Sequence, residues 1–453
     1  MKTAAFCRLA CLLSLFLLLL ETTASAQCCG GGGRGRRQSV GGVYVDALGM
    51  LSNAEIDDRD QLRQTLLRAL AEQPGDLIQP ADLRKVSLRR LEQAIDEQLR
   101  TGKDPSDEMR YLAGLQTIEY VFVYPEQHDI VLAGFGEGWT IDSQGFVVGR
   151  TTGRPVLLLD DLMVALRNAR RNQESGISCS IDPTQEGLAS LRQFASSLIA
   201  LNNDTIQQIE HLLGPQVVSV TGIPATSHFA RVLVAADYRM KRLGMALDPS
   251  PLGKRLTSYV EMIPVAGRGM QSMTPRWWLV PNYAPLLTNA DRTAWQLRGG
   301  SVKCMTEDSL FAADGSKVAT GKTSSAAQLW AQAMTTRYDE LAAKEPIFAQ
   351  LRSCMDMAIV AAIITAQDLP AKAGYSFSLL TDPTQLATDE YDAPRTTASR
   401  ASVIKRANGY IVSASGGVEI RTDELLEKIE QSPTLDPAAR AAAPAAETRW
   451  WWN

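Results

Sequence analysis

Hydrophobic residues in the first half of the chain follow two patterns that alternate with each other. Short runs rich in aromatic and β-branched residues predict strands, and longer stretches with apolar residues at helical spacing predict helices. Strands are predicted over 43–51, 115–124, 129–133, 146–149, 177–181 and 217–220. Helices are predicted over 55–71, after Ser87 as an N-cap, and over 159–171. This alternation predicts an α/β region over residues 43–221.

The second half of the chain has longer helical patterns with strands between them. Ser227 is a candidate N-cap for a helix that carries Phe229, Val232, Ala236 and Met240 at helical spacing. Further helices are predicted over 252–263, 325–343, 346–366 and 422–431, and strands over 276–307 and 402–420. We therefore expect an α+β region over 222–432, with a helical hairpin and small C-terminal strands. The whole chain is predicted to be α+β or α/β, with mixed sheets and two closely associated parts.

Both ends of the chain differ from this globular pattern. Residues 1–26 combine a positive start, an apolar run over 10–20 and the small residues Ala24 and Ala26, which predicts a cleaved signal peptide. Residues 27–42 are rich in Gly and Arg and predict a flexible linker. Residues 433–453 are rich in Pro and Ala and predict a disordered tail. We expect export to the periplasm, the cell envelope or the exterior, with no transmembrane segment after cleavage.

Composition and charge argue against several classes of binding partner for this protein. The chain is 45% hydrophobic and 21% charged with a net charge of −4, so we expect a real core and no nucleic-acid partner. His128, His211 and His228 stand apart from one another, so neither a metal site nor a cofactor is predicted. The oligomeric state is left open. After signal cleavage five cysteines remain, and their pairing also stays open; they are Cys28, Cys29, Cys179, Cys304 and Cys354.

Two blocks of sequence resemble a known family. One runs from YVFVYP (120–125) through DIVLAG (129–134) and EGW (137–139) to RP (154–155) and LDDL (159–162), and the other is ADYRMKRLGM (236–245), continuing to Pro249. Together they resemble a family of exported proteins of unknown function, abundant in planctomycete-type bacteria. The resemblance implies export and a globular unit that covers most of the chain without its tails. It assigns no activity and no catalytic residue. In the second block, Asp237 and Lys241 are spaced as an ion pair on a solvated helix face.

Glu137 and Asp142 form the best candidate pair of carboxylates. Glu137 lies between two glycines and beside Trp139, whose ring could raise the pKa of the acid. A hydrolase of envelope polysaccharide or peptidoglycan would need two carboxylates about 5–10 Å apart. The alternative is a turn between two strands, with Trp139 packed on the sheet. The sequence favours the turn and leaves the hydrolase as a hypothesis.

Tryptophans supply the other candidate sites. Trp139, Trp277, Trp278 and Trp295 could form stacking surfaces for sugars, although core packing is the simpler interpretation. Because side chains alternate along a strand, we expect one of Trp277 and Trp278 to face away from the core. Three more tryptophans end the tail, and they should either fold back onto the protein or bind a partner; they are Trp450, Trp451 and Trp452.

These observations favour an exported protein without catalytic activity that interacts with an envelope protein or a cell-wall polymer. The hypothesis rests on the predicted signal peptide, the lack of a complete catalytic motif and the tryptophan-rich terminus. The competing hypothesis is the hydrolase with Glu137 and Asp142 as acid and base.

Overall fold

A computed structural model describes residues 39–55, 60–197, 203–263, 271–273, 275–311, 317–319, 324–404, 410–443 and 451–452. The predicted signal peptide, Cys28, Cys29 and most of the predicted linker lie outside the described residues. From Ser39 onward the chain forms one compact unit.

The helices range from single turns to 21 residues. They are α1 (Gln61–Ala69), α2 (Gly75–Ile78), α3 (Leu88–Arg100), α4 (Asp107–Arg110), α5 (Leu159–Ser175), α6 (Gln185–Ser197), α7 (Asn203–Leu213), α8 (His228–Gly244), α9 (Tyr259–Met262), α10 (Ser325–Thr336), α11 (Tyr338–Ala342), α12 (Pro346–Ala366), α13 (Leu369–Ala373), α14 (Ser378–Thr381), α15 (Asp423–Leu426) and α16 (Leu435–Ala442).

The strands are mostly short. They are β1 (Val43–Val45), β2 (Met50–Asn53), β3 (Ala81–Ser87), β4 (Tyr120–Tyr124), β5 (Asp129–Gly136), β6 (Trp139–Ile141), β7 (Val147–Gly149), β8 (Ile177–Asp182), β9 (Gln216–Thr221), β10 (Gln271–Met273), β11 (Pro275–Asn282), β12 (Leu286–Thr288), β13 (Ala294–Gln296), β14 (Ser301–Phe311), β15 (Lys317–Ala319), β16 (Thr396–Thr397), β17 (Ser402–Ile404), β18 (Tyr410–Val412), β19 (Ser415–Ile420) and β20 (Ile429–Gln431).

Two large mixed sheets organise the fold. One has the order β1-β2-β16-β9-β8-β19-β11-β14-β15, and the other has the order β20-β12-β13-β4-β5-β3. These sheets and their packed helices confirm the predicted α+β class. Each sheet takes strands from both sides of residue 221, so the regions 43–221 and 222–432 contribute to the same two sheets.

Local sequence signals place several elements correctly. The Ser87 hydroxyl accepts a hydrogen bond from the Arg90 N–H at the start of α3. The Ser227 hydroxyl accepts one from the Ala230 N–H at the start of α8. Helix α8 then lies between the β8–β19 pair on one side and α12 on the other. Because both sides are covered, α8 is buried almost all round.

Helix α12 is the apolar centre of the fold. Among the described residues it is the one helix long and apolar enough to cross a membrane, but 89% of its most apolar window is buried inside the protein. The helix predicted over 346–366 is therefore confirmed, and it lies inside the protein. Cys354 of this helix is a buried free thiol, as are Cys179 and Cys304, so these three described cysteines pack as small apolar side chains.

Three predictions in the chain's second half are wrong. The helix expected over 252–263 is a 3₁₀ turn followed by the single turn α9, because Gly253 takes a φ of +56° that interrupts a helix. The helix expected over 422–431 is the short α15 followed by β20. The tail predicted to be disordered contains α16, whose Leu435 and Ala442 are buried against the sheet. Val40, in the predicted linker, is also buried.

Candidate functional site

Glu137 is a buried carboxylate that holds a turn. Gln116 Nε2 and the Thr151 backbone N–H each donate to it from 3.0 Å. Thr152 donates twice, from its backbone N–H at 2.9 Å and from its hydroxyl at 2.5 Å. Gly149 is needed beside this cluster, because a Cβ there would lie 2.1 Å from Glu137 Oε1. The carboxylate therefore ties the turn after β7 to the adjoining sheet.

These contacts do not suit Glu137 to acid catalysis. Burial alone would raise its pKa, but the hydrogen bonds from Thr152, Gln116 and Thr151 to the charged form lower the pKa to about 2. A general acid must hold a proton near the working pH, and a group with this pKa does not. Asp142 accepts the backbone N–H groups of Gln144 and Phe146, both at 2.8 Å, and so closes the turn between β6 and β7.

Three of the four tryptophans considered as stacking surfaces for sugars are buried in the core. Trp139 is 1% exposed, and Trp277 and Trp295 are fully buried, so none of them presents a surface for a sugar. The Trp277 ring packs at 5.2 Å from the ring of Tyr259. Trp278 faces the other side of β11 and is partly exposed, with the Arg276 guanidinium 5.1 Å from its ring. Side chains thus alternate between the two faces of this strand as predicted, and Trp278 is the one that faces away from the core.

The last tryptophans fold back onto the protein. The Ser87 N–H donates to the Trp451 carbonyl at 2.7 Å, and Trp452 forms an antiparallel bridge with Val86. The Trp452 indole N–H donates to Asp76 at 3.1 Å. Both rings are at least nine-tenths buried, so these residues cover the exposed edge of β3. Trp450 lies outside the described residues.

A cavity of about 420 Å³ opens beside α8, and we call it the α8 cavity. Its lining residues are Leu51, Ser52, Asn53, Glu210, Tyr238, Arg242, Leu247, Thr397, Ala398 and Arg400. On one side of the cavity β16 pairs only with Met50 and Leu51 of β2, and Ser52 and Asn53 extend past the end of β16 and line the cavity. A small recess, which shares Tyr238, Arg242 and Arg400, leads inward to Lys241. The volume is in the range of small-molecule pockets.

Lys241, which lines the recess, belongs to a buried ion pair. Lys241 Nζ donates to Asp237 Oδ2 at 2.8 Å and to the carbonyls of Ile181 at 2.6 Å and Gly416 at 3.0 Å. Burial raises the pKa of Asp237 to about 7, although Lys241 opposes the rise. Asp237 and Lys241 were expected on a solvated helix face. That prediction is wrong, because the β8–β19 pair covers this side of α8.

Charged side chains line the mouth of the cavity. Arg242 binds both carboxylate oxygens of Asp248, at 2.8 and 2.6 Å, and its Nη1 reaches the Tyr238 hydroxyl at 3.4 Å. Arg400 Nη1 lies 3.4 Å from Glu210 Oε2, and 54% of the Arg400 side chain is exposed. The two arginines therefore differ, since Arg242 is locked in place and Arg400 is open to solvent.

A second charged cluster anchors the segment that leads into the cavity. His228 Nδ1 lies 2.9 Å from Asp161 Oδ2, and the Asp389 N–H donates to Asp160 Oδ2 at 2.9 Å. Burial would lower the pKa of His228, but the carboxylates of Asp161 and Asp160 raise it. The Tyr391 ring packs 5.8 Å from the imidazole ring. These contacts fix the chain just before β16 and the cavity wall that follows it. The described residues contain no group of three or more side chains suited to a metal ion.

Only part of this site could be predicted from the sequence. Tyr238 and Arg242 belong to the second block of the family resemblance, but nothing local marks Glu210 or Arg400, which meet across 190 positions of sequence. The strongest available signal was the charged Asp-Tyr-Arg-Met-Lys-Arg run at 237–242 in an otherwise apolar helix.

Comparison with known proteins adds a family match without a function. Residues 179–259 match a family model described as a protein of unknown function (DUF1598). The match covers part of β8, all of β9 and α6 to α8, and it includes the cavity residues Glu210, Tyr238, Arg242 and Leu247. No curated protein and no solved structure matches the chain. The matched stretch therefore supplies one wall of the α8 cavity, while residues outside it supply the other.

Proposed function

We propose that the chain is an exported binding protein of the cell envelope, that it has no catalytic activity, and that the α8 cavity holds its ligand. The observation that carries the proposal is the cavity itself. Three segments far apart in sequence bring Asn53, Tyr238 and Arg400 to one concave surface of small-molecule size. The competing hydrolase needs a carboxylate that can take up and release a proton, whereas Glu137 is buried, ionised and fully engaged.

The terminal tryptophans contribute less to this proposal than the sequence suggested. Trp451 and Trp452 already have a partner within the chain, the edge of β3. The cavity lining, by contrast, includes the exposed polar residues Ser52, Asn53 and Arg400. Recognition is therefore assigned to the cavity, and the terminus is assigned to closing a sheet edge.

Binding can be tested by blocking the cavity with a side chain. Ala398 lines the cavity and is exposed, so Ala398→Trp should fill the space without disturbing the core. Leu48→Trp is the matched control, because Leu48 is 84% exposed and is not a lining residue. The assay is saturation-transfer NMR with chitobiose, D-glucuronate, N-acetyl-alanyl-alanine and glycerol 1-phosphate as probes.

We expect at least one probe to bind the wild type and Leu48→Trp, to lose binding in Ala398→Trp, and to be recovered intact. Cleavage of a probe by the wild type would contradict a protein without catalytic activity. The lack of any Ala398-dependent signal would contradict the cavity as the binding site.

Export is tested separately with the N-terminal segment. Residues 1–42 are fused to a reporter enzyme that is active only after it forms disulfides outside the cytoplasm. The proposal expects an active reporter cleaved after Ala26, because the apolar run and the small residues at 24 and 26 suit a signal peptidase. An uncleaved, inactive reporter would contradict export.

A further inference from the structure

Cations outnumber carboxylates around the α8 cavity. Arg242 and Arg400 line the cavity and Lys241 lines its recess, whereas Glu210 is the one carboxylate among the described residues of both linings. The carboxylates that pair with Arg242 and Lys241 are Asp248 and Asp237, and they lie outside these linings, so an anionic ligand needs a cation whose own pairing is weak.

Two of the three cations are already held by other groups of the protein. Lys241 gives its three N–H groups to Asp237 and to two backbone carbonyls. Arg242 is held by both oxygens of Asp248, which lies outside the lining residues. Neither side chain has a full charge to offer to a ligand.

Arg400 is different. Its contact with Glu210 joins one guanidinium nitrogen to one oxygen at 3.4 Å, and more than half of the side chain is exposed. Exposed pairs of this kind contribute roughly 0–1 kcal/mol to stability. A guanidinium has five N–H donors in a planar fork, and that fork matches the two oxygens of a carboxylate. A carboxylate can therefore bind Arg400 without breaking any strong contact.

We propose that the α8 cavity binds a small organic acid and that its carboxylate is held by the Arg400 guanidinium. This inference rests on the binding function proposed above. Tyr238 supplies an aromatic surface and a hydroxyl, and Ser52 and Asn53 supply further polar groups at the end of β2. These groups suit a ligand that carries hydroxyl or amide groups near its carboxylate. A sugar acid and the carboxyl end of a short peptide share this chemistry.

The test is isothermal titration calorimetry on the full chain at low salt with four probes. D-glucuronate and N-acetyl-alanyl-alanine carry the carboxylate, and D-glucose and N-acetyl-alanyl-alanine amide are their uncharged counterparts. Arg400→Gln removes the proposed contact. Arg100→Gln is the matched control, because Arg100 is 77% exposed, pairs with the single acid Asp96 and lies on α3, outside the cavity.

We expect one of the two acids to bind at least tenfold more tightly than its uncharged counterpart. Loss of a charge-assisted contact should weaken binding of that acid about tenfold in Arg400→Gln and leave it unchanged in Arg100→Gln. The acid that binds then identifies the source, a sugar acid or a peptide end. Circular dichroism checks that both variants are folded, which their exposed positions favour.

The inference is overturned if neither acid binds, if the uncharged probes bind as tightly, or if Arg400→Gln binds as the wild type does. An uncharged probe whose binding is lost in Ala398→Trp would leave the proposed binding function in place and refute only the anionic ligand. If no probe gives an Ala398-dependent signal, both proposals fail together.

Discussion

Replacing Glu137 by Gln separates a structural carboxylate from a catalytic one. The substitution keeps the size of the side chain but replaces one carboxylate oxygen with an NH₂ group that faces donors from Thr151 or Thr152. The ionised Glu137 is worth about 3 kcal/mol to the folded state, since its pKa falls from 4.5 to about 2 and each unit corresponds to about 1.4 kcal/mol. We therefore expect Glu137→Gln to lower the free energy of unfolding by about 3 kcal/mol at pH 7.

The stabilisation that ionised Glu137 provides depends on pH, and the direction of the change follows from its lowered pKa. The pKa of Glu137 is lower in the folded protein than in the unfolded chain, so its stabilising contribution is complete above the unfolded value of 4.5. It is lost as the pH falls from 4.5 towards 2. The difference in unfolding free energy between wild type and Glu137→Gln should therefore be about 2 kcal/mol smaller at pH 3 than at pH 7.

Urea unfolding followed by circular dichroism measures the loss of stability at pH 7 and its change between pH 7 and pH 3. Glu97→Gln is the control, because Glu97 is an exposed acid on α3, and it should change stability by no more than about 0.5 kcal/mol. A Glu137→Gln protein as stable as the wild type at both pH values would refute the structural role. If such a protein had also lost an activity on an envelope polymer, the hydrolase would become the better account.

Three further substitutions test the packing described above, each by urea unfolding. Trp452→Ala should cost about 3 kcal/mol, because it removes a buried ring from the edge of β3, and unchanged stability would mean that the ring does not dock there. Lys241→Met should lower the free energy of unfolding by about 3–5 kcal/mol, because it leaves Asp237 buried and unpaired. Adding Asp237→Leu should recover part of that loss, and no recovery would argue against the ion pair. Gly149→Ala should cost about 2 kcal/mol because its Cβ meets Glu137 and Gln116, and a neutral effect would contradict this close packing.

The elements with strong local signals could be predicted from the sequence. Ser87 and Ser227 each satisfy a free N–H group in the first turn of a helix, so those starting points are set locally. Helix α12 begins at Pro346 and ends at Ala366 as predicted, because proline favours the first turn and the segment is apolar throughout. The class of fold followed from the same patterns.

Features that depend on tertiary contacts could not be predicted in this way. Asp237 and Lys241 have the spacing of a solvated pair, and only the sheet packed over α8 shows that they are buried. Glu137 looks like an exposed acid between glycines until the Thr151 and Thr152 N–H groups are brought to it by the turn after β7. Arg400 joins Glu210 only because β16 inserts between β2 and β9.

Binding in the α8 cavity can be observed directly in a crystal structure of the protein soaked with the probe that binds most tightly in solution. We expect the probe to lie in the α8 cavity, intact, with its carboxylate on Arg400 and its body against Tyr238. A probe bound elsewhere would show that the α8 cavity is not the binding site, and a probe cleaved beside Glu137 would show that the protein is a hydrolase.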